Sequence, residues 1–268
     1  MTKGFLKYPG GKSRLAAVIK EHLSPGRRLI EPFCGSAAIW LNTDYPDALL
    51  ADTNADLINL YQVLQEEGEA FIDYCRGYFV PETNTPEVYY ELRRKFNTSY
   101  ERREKAALLV YLGRHGFNGL IRYSARSGFN VPFGRYSKPY FPESEMRVFW
   151  ARSQHAQFEA ADFRDTLAQV RQGDTVFCDP PYVAWSDTAN FTDYTVGGFG
   201  IADQEALASW AERLAADGIT VVISNHATDW TRQLYKTARQ IIVDVPRFIS
   251  RDGANRKAVQ EIIAVYGQ

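Results

Sequence analysis

Short apolar runs that stop at an acid or a tight turn, each followed by residues at helical spacing, recur along this chain and leave few folds open to it. Leu29-Ile30-Glu31-Pro32-Phe33 reads as a strand running into Cys34-Gly35-Ser36, with residues 37–41 as the start of a helix. Ala48-Leu49-Leu50-Ala51-Asp52 reads as a second buried strand, and Leu57, Leu60, Tyr61 and Leu64 fall at helical spacing after it. Further along, residues 175–178 form a strand that ends in Asp179-Pro180-Pro181-Tyr182. Residues 203–216 predict an amphipathic helix capped by Asp203. Residues 219–223, 240–245 and 262–266 predict three more strands. Strands buried on both faces and alternating with helices predict an α/β fold: one parallel-rich sheet with helices on both faces.

Between the second strand and about residue 145 the pattern changes. Residues 66–110 are helical in spacing and heavily charged. Residues 105–142 hold Lys105, Arg114, Arg122, Arg126, Arg135 and Lys138 and no acid. Interleaved with them are Tyr111, Phe117, Tyr123, Phe129, Phe133, Tyr136, Tyr140 and Phe141. Glycines at 113, 116, 119, 128 and 134 divide the stretch into turns and short strands. Such an insertion suits nucleic acid locally. The whole chain does not, because Lys+Arg is 31 against Asp+Glu 32 and no global field draws in a polyanion. At 45% apolar residues a disordered chain is excluded. Three cysteines without regular spacing exclude a disulfide framework. No apolar run approaches the ~18–20 residues of a membrane span, and MTKGFLKYPGGK lacks a hydrophobic signal core. A soluble, intracellular protein is expected.

Four segments fall at strand ends and loops, where open α/β sheets bind ligands. Asp179-Pro180-Pro181-Tyr182 is the most specific. Two prolines remove backbone donors and fix φ, so the loop is stiff and presents carbonyl acceptors. An ionised Asp beside them is a further acceptor, and Tyr182 offers an aromatic face. Acceptors next to a flat ring suit an exocyclic amine on a base. Glu31-Pro32-Phe33-Cys34-Gly35-Ser36 sets a glycine turn after the first strand, where backbone approaches a ligand closely. Alone it is equally a tight turn, and without a full G-x-G-x-x-G it gives a dinucleotide little support. Asp52 ends the second strand, where an acid reaches ribose hydroxyls; it reads equally as a charge at a helix N-terminus. Lys7-Tyr8-Pro9-Gly10-Gly11-Lys12 could cradle an anion but lacks the length and order of a Walker loop. His22, His115, His155, His226, Cys34, Cys75 and Cys178 show no ligand spacing, so no metal is expected. His226 reads as a capping or core residue, and Cys34 and Cys178 as small buried fillers.

These motifs occur in a familiar order. FLKYPGGK, EPFCGS, LLADTNADLINLY and FVPETNTPEVYYELRRKFN are followed by GFNGLIRY, GFNVPFGRY, KPYFPE, DPPY, TANFTDY and ISNHAT. The chain resembles the D12-class DNA adenine-N6 methyltransferases over essentially its whole length, and within them the Dam family of GATC-site methylases. The resemblance implies a Rossmann-like S-adenosylmethionine-dependent methyltransferase fold with a mostly parallel seven-stranded sheet. It implies a catalytic domain of residues 1–55 and 145–268. An inserted target-recognition domain, helical with a β-hairpin, is expected over residues 56–144.

By motif match the resemblance assigns S-adenosylmethionine to Tyr8, Lys12, Asp52 and Asp179, with Glu31, Phe33 and Gly35 shaping its site. The target adenine falls to Asp179, Pro180 and Tyr182, with Pro181 completing the elbow. Double-stranded DNA falls to Lys7, Arg122 and Arg135 as groove or phosphate contacts, and to Leu120, Pro132 and Tyr136 at base edges. Phe117 and Asn118 are expected to enter the space vacated by a flipped adenine; Asn130 is a further DNA contact, and Arg114 a weaker candidate for a contact to the DNA backbone. Arg126, Lys138, Arg247, Arg251, Arg256 and Lys257 read by default as solvated charges that can touch the DNA backbone. The family often carries Gly at the position of Ala37, Tyr at that of Phe117 and Trp at that of Tyr8; the last two replacements keep a stacking ring. Residues 183–202 read as a long loop that closes over the flipped base. The enzyme is expected to be a monomer working in the cytoplasm of a bacterium, whether encoded by host or phage. N4-cytosine methylation, RNA methylation and a DNA-binding module without catalysis stand as alternatives; a metal-dependent hydrolase has little support.

Overall fold

A computed structural model describes residues 2–8, 11–124, 127–182, 198–245 and 259–267. Along the chain run α1 (Ala16–Lys20), β1 (Arg28–Glu31), β2 (Asp47–Asp52), α2 (Ala55–Glu67), α3 (Glu69–Arg76), α4 (Pro86–Thr98) and α5 (Arg102–His115). A short hairpin, β3 (Tyr123–Ser124) and β4 (Gly128–Phe129), follows. Then come α6 (Glu143–Ser153), β5 (Ala156–Ala160), α7 (Phe163–Leu167), β6 (Asp174–Cys178), α8 (Ile201–Ala216) and β7 (Thr220–His226). The series ends with α9 (Asp229–Leu234), β8 (Arg239–Val245) and β9 (Val259–Tyr266).

Seven strands form one sheet in the order β5-β2-β1-β6-β7-β9-β8. The pairs β2–β5, β1–β6 and β6–β7 are parallel, while β9 runs antiparallel to both β7 and β8. The α/β, mostly parallel sheet expected from the alternating pattern is therefore present. Its chain order reverses direction beside β1, with β2 on one side and β6 on the other.

The residues divide into two compact units. The first comprises Met1–Ala17, Cys34–Asp44 and Ala48–Ala161. Its core is aromatic: Phe149 meets Phe5 at 5.1 Å, Tyr61 at 4.7 Å and Trp40 at 5.3 Å between ring centroids. Helix α5 is buried on every side from Ala106 to His115. Asn54 caps α2 by accepting from the backbone N–H groups of Asp56 and Leu57, and Thr85 caps α4 with Pro86 at its first turn.

The second unit comprises Val18–Phe33, Tyr45–Asp47 and Asp162–Gln268. Here β6 is buried at all five positions and β7 at all but its last. Arg28 at the start of β1 makes a bidentate pair with Asp174 at the start of β6, at 3.1 and 2.7 Å. That pairing sets the register Arg28↔Asp174 and brings Glu31 and Cys178 to the same end of the two strands.

Two local expectations are corrected. Residues 37–41 do not start an α-helix. Ala37 takes a left-handed φ of 54°, and only a 3₁₀ turn, Trp40–Asn42, follows. An L-residue in that conformation breaks helical continuation. Asp203 does not occupy the cap of α8. Gly200 does, and Asp203 sits three residues in, accepting the Gly200 N–H at 2.8 Å and pairing with Arg164 at 2.5 Å.

Candidate active site

In the first unit, the turn after β1 is fastened at Cys34 and Gly35. Cys34 N–H donates to the Ala51 carbonyl at 2.8 Å, Gly35 N–H to Asp52 Oδ2 at 3.0 Å, and the Tyr61 hydroxyl to the Gly35 carbonyl at 2.5 Å. Asp52 Oδ1 accepts the Asn54 N–H at 2.9 Å. Each carboxylate oxygen thus spends at least one acceptor site on the backbone. Burial raises the Asp52 pKa, and the N–H groups of Asn54, Gly35 and Thr53 oppose that rise.

Gly35 has a left-handed φ of 44°, and a Cβ there would stand 3.3 Å from the Tyr8 ring. Glycine there lets the Tyr8 ring lie close against the turn. The Tyr8 hydroxyl is pushed above its ordinary range, first by burial and then by Asp52 and Cys34, while its hydrogen bond with Asn54 acts the other way. Lys12 is buried in a 3₁₀ turn, and its neighbour Gly11 lies against Ser36.

In the second unit, Glu31 ends β1 and is almost fully buried. Phe33, just beyond, stacks on Phe163 at 5.5 Å and meets the edge of Phe199 at 5.4 Å. Neither of those partners was legible in the sequence. Beside β1, Cys178 closes β6 and leads into the elbow. Burial, then Asp179, then Glu31 push the Cys178 thiol upward, which leaves it an inert filler.

Asp179 Oδ1 accepts the Ser224 hydroxyl at 2.8 Å. Pro180 is buried, and the Pro181 carbonyl accepts Gln204 Nε2 at 2.7 Å. Tyr182 is half-buried. Its hydroxyl donates to Glu261 Oε2 at 2.7 Å, and its ring meets His226 edge-on at 4.8 Å. The register His226↔Glu261 puts both on neighbouring strands below the tyrosine. Burial first, then Asp179 and Glu261, raise the Tyr182 pKa well above normal, so it remains a donor.

The basic, aromatic stretch belongs to the first unit. Phe117 N–H donates to the Pro132 carbonyl at 2.8 Å, and Asn118 has a left-handed φ of 54°. This tight turn leaves Phe117 48% exposed, a large apolar side chain held outward. Lys7 Nζ lies 5.3 Å from the Tyr136 ring centroid, and a Cβ at Gly119 would fall within 2.7 Å of Lys7 Cβ. Lys7, Phe117, Asn118, Gly119, Pro132 and Tyr136 are therefore gathered around one turn. Arg122 is exposed and its Nε donates to Asn130 Oδ1 at 2.7 Å. Leu120 is half-buried, and Arg135 is exposed at a left-handed φ of 53°.

Arg114 stands apart from these. It is buried on α5, its guanidinium donates to the Phe5 carbonyl and faces the Tyr140 ring, and burial lowers its pKa. That placement ties α5 to the N-terminal segment. Arg126, Arg247, Arg251, Arg256 and Lys257 lie outside the described residues, as does most of the expected loop, residues 183–197. Among the described residues no group of three or more His, Cys, Asp or Glu side chains could hold a metal ion, and no helix is long and apolar enough to cross a membrane.

A mostly parallel seven-stranded sheet alternating with helices places the chain in the class of α/β proteins. Comparison with known proteins narrows it. The family model described as D12 class N6 adenine-specific DNA methyltransferase matches residues 8–247, and the chain belongs to that family. It is 46% identical over 265 residues to a DNA adenine methylase of Vibrio cholerae, covering 98% of this chain and 96% of that one. It is 46% identical over 264 residues to DNA adenine methylases of Salmonella typhi and Escherichia coli K12, covering 98% of this chain and 95% of each. The protein is an adenine-specific DNA methyltransferase.

Proposed function

We propose that the enzyme methylates N6 of adenine within GATC in double-stranded DNA, using S-adenosylmethionine, and that it acts as a monomer in the cytoplasm. Tyr8, Lys12, Gly35 and Asp52, with Glu31, Phe33 and Asp179, are the residues we assign to the cofactor. The donor set supports this. Asp52 presents a carboxylate held in place by backbone N–H groups at the end of a strand, and Tyr8 lies against the glycine turn beside it. Tyr8 and Phe33 offer faces to a cation and a flat ring. Bound there, the cofactor supplies an electrophilic methyl group.

The observation that carries the reading is the elbow itself. A paired adenine hides its amine, so the base must leave the stack at a cost of a few kcal/mol. Phe117, held outward by its turn, and Asn118 fill the gap. Residues 56–144 serve as the recognition domain, with Lys7, Arg122, Asn130 and Arg135 on the polar side and Leu120, Pro132 and Tyr136 against base edges.

Tyr182 packs on the extruded ring. Asp179 and the Pro180 carbonyl accept the two N6 hydrogens; Gln204 already occupies the Pro181 carbonyl, which supports giving the role to Pro180. Two accepted hydrogens pull the nitrogen towards tetrahedral geometry and release its lone pair from the purine. Alignment and electrostatics then lower the barrier without a covalent enzyme intermediate. After transfer the amine sheds a proton through Asp179 to water.

Asp179→Ala tests the roles. The variant is expected to fold and bind a GATC duplex yet lose methyl transfer; retained turnover would refute them. Expression of the wild type in a methylation-free bacterium, with modified bases mapped across the genome, tests the site. N4-methylcytosine, or N6-methyladenine outside GATC, would overturn the assignment.

A further inference from the structure

We propose that Ser224 and Gln204 are positioning residues for methyl transfer, holding the two ends of the Asp179–Tyr182 elbow from a buried polar network. The proposal rests on the catalytic reading of that elbow and extends it.

Two consecutive prolines have no N–H to offer, so the middle of this loop has no backbone donors of its own. The Asp179 side chain and the Pro181 carbonyl are acceptors, and these need donors from elsewhere. The second unit supplies them from two elements. The parallel register Cys178↔Ile223 sets Ser224, fully buried, next to Asp179. A serine hydroxyl has one proton. The Asp179 carboxylate, at 2.8 Å, is a closer and stronger acceptor than the Cys178 carbonyl at 3.4 Å.

At the other end, Gln204 on α8 is 2% exposed. Its Oε1 receives Asn225 Nδ2 at 3.0 Å, with the Tyr235 hydroxyl at 3.4 Å. Asn225 Nδ2 also reaches the Tyr235 hydroxyl at 3.1 Å, and Asn225 Oδ1 accepts the His226 N–H at 2.9 Å. With its oxygen taken from that side, the Gln204 amide has one orientation left, and its N–H₂ points at the Pro181 carbonyl. Ser224, Asn225 and Tyr235 are all fully buried. Buried polar groups of this kind cost stability unless every bond is made, and what a completed network confers is a single geometry. Here that geometry is the direction of the acceptors that grip the amine.

The test uses the full-length enzyme on a GATC duplex, comparing Ser224→Ala, Gln204→Met and Gln204→Glu with wild type, and Asp179→Asn as reference. Ser224→Ala and Gln204→Met are expected to lower kcat about 10- to 100-fold. KM for duplex and for S-adenosylmethionine should stay within about 3-fold, because the residues touch neither. Gln204→Glu separates positioning from packing. Only its protonated carboxyl can donate to the Pro181 carbonyl while its other oxygen accepts from Asn225. Its kcat relative to wild type should therefore rise as pH falls.

If both truncations keep kcat within about twofold while Asp179→Asn is dead, the positioning role is wrong and the catalytic reading stands. If Asp179→Asn turns over normally, the underlying reading fails. Should Gln204→Met not fold, the Gln204→Glu profile decides, and a flat ratio across pH overturns the proposal.

Discussion

His115 closes α5 immediately before the turn that carries Phe117. Its Nδ1 is 3.0 Å from the Tyr111 carbonyl, its ring stacks on Tyr111 at 3.9 Å, and Phe79 covers it at 5.1 Å. Burial lowers its pKa from the ordinary 6.5 to about 4, against a smaller opposing effect of the Tyr111 carbonyl. The fold therefore holds the neutral ring, and an unfolded chain takes up the proton first as pH falls. The contribution is complete above pH 6.5 and is lost as pH drops to about 4. A gap of about 2.5 between the two values, at about 1.4 kcal/mol per unit, corresponds to about 3 kcal/mol in all, of which about 2 kcal/mol is gone by pH 5.

The perturbation is His115→Gln, which removes the titration. Lost ring packing lowers the variant's stability by an amount that does not vary with pH, so the informative quantity is the difference between the two proteins. Urea unfolding of both from pH 7.5 to 4.5 should show the wild type losing its advantage steadily below pH 6.5. A difference that stays flat across that range would refute the reasoning, because it would mean that the ring protonates as easily folded as unfolded.

Three other outcomes are expected. Arg122→Ala should relax sequence choice by about 1–3 kcal/mol at one base pair, read as kcat/KM on duplexes substituted one position at a time; a uniform loss on every duplex would make it a phosphate contact. Gly119→Ala forces an L-residue to a φ of 64° and drives its Cβ into Lys7, so stability should fall by about 1–2 kcal/mol in urea unfolding, and duplex affinity should fall with it. Tyr182→Phe keeps the ring and loses the donation to Glu261, so single-turnover transfer should suffer less than in Tyr182→Ala; equal losses would place the function in the hydroxyl.

The elbow, Asp52 and the glycine turn could be read from sequence because each rests on chemistry within a few neighbours: a proline without N–H, an acid at a strand end, a glycine where φ turns positive. The failures were also local in part. Nothing in the apolar run at 37–41 announces that Ala37 adopts a left-handed φ, since alanine is the strongest helix former. Arg114 looked like one basic residue among six. Its burial follows from α5 being enclosed on all sides, and a charge count does not report which way a helix faces.

Ser224, Gln204, Glu261 and Phe163 escaped for a different reason. They reach Asp179, Pro181, Tyr182 and Phe33 across separations of 45, 23, 79 and 130 residues. Glu261 supports Tyr182 because β9 pairs antiparallel with β7 in one register; a slip of one residue would turn that carboxylate to the opposite face. From its sequence alone this protein's strand ends and stiff loops were determined, because these depend on φ, ψ and hydrophobic period over short stretches, while its family and reaction followed from the resemblance of its ordered motifs. Only the tertiary structure decided which buried donors meet which acceptors and which cations face water, because those depend on how distant strands and helices come into register and pack.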